Sequence, residues 1–290
     1  MDCKGVRTWY LGKIPKVAHF YWGNETISFL RYLTIYSFKK LNPDWKVKLY
    51  YPKVRYKGIR TWKTPEHAIT FSGKNYFDKL SDIDIEPVKI DFSALGFNHN
   101  VPEPFKADFL RWQLLSSAGG LWSDFDIIYF RPMEYLYFNN GENSNVDTLL
   151  CIDEKRCDSY KHSIGFLMSS PGNELFKFIR QKSYSNLDLE KYQSIGSIIL
   201  NTHFPALSAI TKEFKTLKVH NLRSHTVYPM RDGDIEAIYN SSDMSLLRPD
   251  TIGLHWYGGY SLAGYWENVI TERNFRLFDT VITKIIGEVI

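Results

Sequence analysis

The chain has 290 residues, 44% of them hydrophobic and 23% charged, with a net charge of +4. This length can bury a sizeable core and the composition is that of a globular protein, which excludes a disordered or fibrous chain. The modest charge, with no arginine-rich stripe, points away from nucleic acid and suits anionic small molecules or an anionic membrane surface.

Aromatic residues make up 16% of the chain, more than a core alone needs, and surplus rings often line sites that stack bases or sugars. The cysteines are Cys3, Cys151 and Cys157. An odd number without a CxxC pair argues against a disulfide scaffold and for a reducing compartment, with buried, inert thiols expected. The segment Met1 to Arg7 lacks the apolar core of a signal peptide, and no apolar run is long enough to span a bilayer. A soluble protein is expected.

Ile14 to Trp22 reads as a first strand. Ile27 to Leu41 has apolar residues at helical spacing and ends at Asn42-Pro43-Asp44. Trp45 to Tyr51 alternates as a strand, residues 52 to 82 read as short helices and loops, and Ile85 to Ile90 is another strand. Pro102-Glu103-Pro104 opens a helix that runs through Ala118 to Gly119-Gly120. Leu121 to Phe130 reads as one continuous strand. In the second half, strands are expected near 146–152, 165–169, 218–220, 226–228 and 252–256, with helices at 174–182, 187–200 and 204–213. Phe275 to Ile290 carries apolar residues at helical spacing, expected as a C-terminal helix packed on the domain, with peripheral membrane docking or a dimer contact as alternatives.

Alternating strands and helices over 14–130 predict an α/β fold with a mostly parallel central sheet flanked by helices, followed by a less regular C-terminal half. No repeat or linker divides the chain. One domain over 1–290 is expected: 14–130 as the ligand-binding half, 131–260 as the irregular half and 261–290 as the C-terminal helix.

The most informative residues are Asp124 and Asp126, embedded in the apolar run from Leu121 to Phe130. Alternating strand geometry places both carboxylates on one face. Two like charges there repel and lose hydration, and a hard divalent cation relieves both costs. The alternative is the wet face of an edge strand, which the apolar continuation Ile127 to Phe130 argues against. Asp108 and Arg111 lie three residues apart on one face of the preceding helix, among Phe105, Phe109, Leu110 and Trp112. They form either a structural ion pair or a site for sugar hydroxyls, and spacing alone leaves both open. Trp22, at the polar stop Gly23-Asn24-Glu25, is either a stacking platform at a sheet edge or a core ring.

The block Ala107-Asp108-Phe109-Leu110-Arg111-Trp112, Gly119-Gly120 and Asp124-Phe125-Asp126 resembles the DXD sugar-binding region of glycosyltransferase family 32, and is similar to a block in the clostridial glucosylating toxins. Ile14 to Gly23 resembles the family's opening strand, and fainter likenesses extend to His255-Trp256. The resemblance implies a GT-A type nucleotide-sugar-binding fold and a retaining transfer of a hexosyl unit from a UDP-sugar or, second, a GDP-sugar. It implies a divalent cation, manganese or magnesium in its place, and a carbohydrate, lipid or protein acceptor. By position, Trp22 would stack on the donor base with Tyr21 a further donor contact, Asp108 and Arg111 would hold the donor sugar, Asp124 would contact the ribose and metal, and Asp126 the metal and diphosphate. Asp108, Arg111 and Asp126 would carry catalysis. Near the C-terminus, His255 is a third ligand or a structural histidine, Trp256 a donor contact, and Gly258 and Gly259 backbone donors on a mobile segment. Departures occur at Ser163-Ile164-Gly165 and Ile195-Gly196-Ser197; Asp153 and Glu154 are the acidic candidates beside the reacting carbon, although a solvated loop is the stronger reading of them.

Polysaccharide biosynthesis in a bacterial or viral host cytoplasm is the expected setting, or the Golgi lumen if the chain is a trimmed form. A nucleotidyltransferase and a catalytically silent sugar-binding module are the competing readings. The first is disfavoured because Gly23-Asn24-Glu25 is no basic phosphate loop.

Overall fold

The computed structural model describes residues 13–59, 69–136, 146–158 and 160–290; Cys3 and the segment 1–7 lie outside them. The strands, in chain order, are β1 (Val17–Tyr21), β2 (Lys46–Pro52), β3 (Glu86–Ile90), β4 (Gly120–Ser123), β5 (Ile127–Tyr129), β6 (Thr148–Leu150), β7 (Phe166–Ser169), β8 (Val219–Asn221) and β9 (Gly253–His255). The helices are α1 (Phe29–Leu41), α2 (Glu103–Ser117), α3 (Glu174–Ser185), α4 (Ser197–His203), α5 (Leu207–Glu213), α6 (Glu236–Asn240), α7 (Ser261–Val269) and α8 (Val281–Val289).

The main sheet has seven strands in the order β3-β2-β1-β4-β7-β6-β8. Every pairing is parallel except the two made by β7, which runs antiparallel to β4 and β6. The expected mostly parallel, helix-flanked α/β sheet is therefore observed. Alternation along β1 sends Ala18 and Phe20 into one core with Phe38 of α1, and Tyr21 into a second core with Phe105 and Phe109 of α2. With both faces covered, the central strands read as apolar runs. The strand order reverses between β1 and β4, and at such a switch point the carboxyl ends of the strands leave a crevice. Trp22 and Asp124 each follow the last residue of one of these two strands.

Several expected elements differ. Leu121 to Phe130 is not one strand: β4 belongs to the main sheet, and β5 pairs with β9 in a separate two-stranded ribbon. Asp124, Phe125 and Asp126 form the turn between them, so strand alternation does not set their direction. The turn is fixed from outside, by Asp124 N–H donating to Gly165 O at 2.7 Å and Trp256 N–H donating to Asp126 O at 2.9 Å. The helix expected over 187–200 is confined to Ser197–His203, because Gly196 caps it and Gln193 takes a left-handed φ of 56°. Residues 226–228 are not a strand; a 3-10 turn occupies Ser224–Thr226. The expected C-terminal helix breaks into a 3-10 turn, Phe275–Leu277, and α8, which Thr280 caps through Thr283 N–H. The break leaves Leu277 81% exposed. A third core joins α1, the ribbon and α6 to α8 through Leu30, Leu33, Ile128, Leu254 and Ile282. Among the described residues, no helix is long and apolar enough to cross a membrane.

Candidate active site

A cleft of about 1060 Å³ opens at the carboxyl ends of β1 and β4. Its size suits a small-molecule ligand. Tyr21, Trp22, Asp108, Arg111, Asp124, Asp126, His255, Gly258 and Gly259 all line it.

The buried face of α2 carries Asp108 and Arg111. Arg111 Nη1 donates to Asp108 Oδ1 at 2.5 Å and Nη2 to Asp124 Oδ1 at 2.8 Å. The pair is thus an ion pair and part of the cleft wall at once, and it ties α2 to the Asp124 turn. Trp122 supports the bridge: its indole N–H donates to Asp124 Oδ1 at 2.8 Å, and its ring lies 4.9 Å from the guanidinium carbon. Burial works against the Arg111 cation, but Asp124 and Asp108 outweigh it and hold it protonated. Burial pushes the Asp108 carboxyl up to about 6, with Arg111 opposing the shift.

Asp126 is held from the other side. Gly258 N–H donates to its Oδ2 at 2.8 Å, and His255 Nε2 lies 3.2 Å from its Oδ1. Burial raises the Asp126 carboxyl, yet His255, the nearby Arg31 charge and the Gly258 amide together hold it well below the usual carboxylate range. His255 arrives through the ribbon, where it is the register partner of Ile127, the residue after Asp126. Asp124, Asp126 and His255 therefore bring one ligand atom each within 4.8 Å of one another. Two carboxylates and an imidazole facing a cleft form a donor set that fits a divalent cation of the manganese or magnesium type.

Other expected residues are placed differently. The Tyr21 phenol donates to the Glu103 carboxylate, which also accepts from Lys106 Nζ and from Tyr56 N–H. Trp22 stacks on Phe125 with ring centroids 5.2 Å apart, and its indole N–H donates to Thr26 O at 2.9 Å. Trp256, expected at the donor, is fully buried in the third core and does not line the cleft. This is a correction: its neighbour His255 turns to the cleft, and the chain then carries the indole inward. Gly258 is a backbone donor as expected, but to Asp126. Asp153 lines the cleft and pairs with Arg231 at 2.8 Å, whereas Glu154 accepts Leu207 N–H and does not line it.

Sequence reasoning missed Arg31 of α1 and Glu267 of α7, whose side chains are 10% and 8% exposed and pair at 2.7 Å behind the Asp124–Asp126 turn. The signal available was a cation between Leu30 and Leu33 in the apolar first half of α1, away from Lys39 and Lys40 in its last turn. It also missed Gln193 (φ 56°) and Tyr257 (φ 55°), the non-glycine residues with positive φ among the described residues. Both line the cleft, and strain of this kind gathers at functional sites.

No family model matches the chain, and no curated protein matches it. The likeness to glycosyltransferase family 32 therefore stays with the motif residues themselves. Among solved structures, the chain is similar to galactosyltransferase LgtC in complex with donor and acceptor sugar analogs, at 13% identity and a TM-score of 0.47, over 90% of this chain and 100% of that one. It is similar to PaToxG glycosyltransferase at 16% identity and a TM-score of 0.45, over 70% of this chain and 75% of that one. It is also similar to the apo form of the glycosyltransferase GlyE in Streptococcus pneumoniae TIGR4, at 12% identity and a TM-score of 0.47, over 89% and 61%. Likeness at this level leaves the functional reading to the residues of the cleft.

Proposed function

We propose that the chain is a metal-dependent, retaining glycosyltransferase that moves a hexosyl unit from a UDP-sugar or GDP-sugar to an acceptor hydroxyl of a glycan, lipid or protein. One observation carries the reading: the Asp124-Asp126-His255 cluster stands at the switch point of the sheet, tied by Arg111 to a buried Asp108 in the same cleft.

The difficult step is expelling a nucleoside diphosphate from the anomeric carbon while positive charge develops on the sugar ring. A manganese or magnesium ion, when bound, supplies electrostatic stabilisation to the departing diphosphate. Asp124, Asp126 and His255 would hold that ion. Asp108 and Arg111 would hold the sugar: Arg111 occupies Asp108 Oδ1, which leaves Oδ2 as an acceptor for a hydroxyl. The fixed Asp108–Arg111–Asp124 chain would set the ring relative to the ion, which is the positional part of catalysis. Trp22, at the end of β1, is the stacking candidate for the base. In a front-face transfer the departing phosphate accepts the nucleophile's proton, so no general base is required of the protein.

The test is donor hydrolysis: UDP or GDP should appear from a panel of nucleotide sugars only when enzyme and manganese are both present. Asp126→Asn should abolish that release and leave the thermal midpoint within a few degrees. Full activity in the folded variant would reject the assignment.

A further inference from the structure

Arg31 and Glu267 line the cleft, and neither was given above a direct contact with cation or sugar. Arg31 Nε donates to Glu267 Oε1 at 2.7 Å, Nη1 to the Phe125 carbonyl at 3.1 Å and Nη2 to the Gly258 carbonyl at 3.4 Å. Its guanidinium carbon lies 4.4 Å from the Trp22 ring centroid and 5.0 Å from that of Trp256. Glu267 is fixed in turn, since Ser28 Oγ, at the N-cap of α1, donates to the same Oε1 at 2.7 Å. One planar cation thus touches the exit of β1, the middle of the Asp124–Asp126 turn, the loop after β9 and helix α7.

Each contact bears on a group in the proposed site. Phe125 is flanked by the two aspartates and stacks on Trp22. Gly258 passes its carbonyl to Arg31 while its amide binds Asp126. The approach is close enough to require glycine: a Cβ at position 258 would lie 2.6 Å from Arg31 Nη2 and 2.8 Å from the Trp256 ring. The guanidinium cannot yield, because three acceptors and two rings hold it.

A buried ion pair contributes little net stability, because desolvation cancels much of the attraction, and apolar residues of similar volume often do as well. The geometry therefore points to a different use. We propose that Arg31 and Glu267 are positioning residues: the guanidinium sets the distance between the Trp22 ring and the cation-binding turn, and locks the Gly258 loop to that turn. This rests on the proposed function, in which the ring and the turn grip the two ends of one nucleoside diphosphate. A lysine cannot replace the arginine, since a single ammonium has neither the fork for three separated acceptors nor a plane to lie against two indoles.

The experiment measures thermal midpoint, Mn²⁺ affinity, and UDP and GDP affinity in saturating Mn²⁺, by calorimetry. The variants are Arg31→Lys and the paired Arg31→Met/Glu267→Leu. The paired variant is expected to keep its thermal midpoint within a few degrees and to bind the nucleotide about tenfold more weakly; Arg31→Lys is expected to bind it about fivefold more weakly. A purely structural pair would lower the midpoint and leave nucleotide affinity of the folded protein unchanged, which overturns the inference. Should the paired variant not fold, Arg31→Lys decides alone, and unchanged affinity there overturns it. A wild-type protein that takes neither UDP nor GDP with Mn²⁺ defeats the proposed function and this inference with it; wild-type binding with unimpaired variants defeats the inference alone.

Discussion

Replacing Gly196 with alanine places a methyl carbon 2.5 Å from Asp108 Oδ2 and 3.0 Å from its Cγ. Ordinary contact begins near 3.4 Å, so the carboxylate or the loop must give by about 0.9 Å. Asp108 has nowhere to retreat: it is 5% exposed and is held by Arg111 at 2.5 Å, whose other arm holds Asp124 at 2.8 Å. The displacement therefore reaches both the carboxylate proposed to bind sugar and a proposed cation ligand. A misplacement of ~1 Å costs on the order of 100-fold in rate, or about 2.7 kcal/mol. Overpacking costs roughly 1–3 kcal/mol of stability, a shift of several degrees in a chain of this size. The assay is the initial rate of manganese-dependent nucleotide release from a nucleotide sugar, beside a thermal melt. A folded Gly196→Ala protein within about twofold of the wild-type rate would refute the reasoning.

Asp108 sets a pH dependence. Its carboxyl, pushed up to about 6 by burial, stands above the ~3.9 of a free aspartate, so the folded protein keeps a proton that the unfolded chain has already lost. Between about pH 4 and 6 this group makes stability fall as pH rises, by on the order of 2 kcal/mol. Urea unfolding of wild type and Asp108→Asn across that range isolates the effect as their difference, and a difference that grows in favour of wild type contradicts it. Donor binding should rise over the same interval as the carboxylate forms, read by nucleotide-sugar titration at fixed Mn²⁺. His255→Ala should weaken Mn²⁺ binding by roughly ten- to 100-fold with little change in melting, as expected for loss of one of three ligands; calorimetry checks it. Cys157 is exposed, while Cys151 is buried and its thiol is pushed up to about 12. In a Cys3→Ser background, one thiol should react at once with a disulfide reagent and the other only on unfolding.

The elements up to residue 123 were legible because β1 and β4 are apolar runs, β2 alternates, and α1 and α2 have clear stops at Asn42-Pro43 and Gly119-Gly120. The Asp108, Arg111, Asp124 and Asp126 constellation was legible for a similar reason: it is local, and its members fall within one helix-turn-strand unit. The Asp124–Asp126 turn was not. Ser123 and the aspartates are weak turn signals inside the apolar run from Leu121 to Phe130, and the bend is imposed by Gly165, Arg31 and Trp256 from distant segments. Arg31 and Glu267 are 236 residues apart, and no pattern within either helix announces their pairing. Trp256 was misplaced because adjacent residues at a strand end turn to opposite sides, so reading His255 as a cleft residue already argued against its neighbour. The helix expected over 187–200 failed where Gln193 takes a conformation that propensity disfavours.

The β5–β9 ribbon makes the proposed cation site a late arrival during synthesis. Gly258, whose amide closes on Asp126, leaves the ribosome 132 residues after it, and until β9 turns back the two acids have no imidazole beside them. A slip of one residue in this short ladder would face His255 the wrong way, so in the proposed site only the native pairing would capture an ion. Metal uptake would then act as a latch on the finished register, and Mn²⁺ added during refolding should raise the yield of native protein more than it raises the rate of collapse.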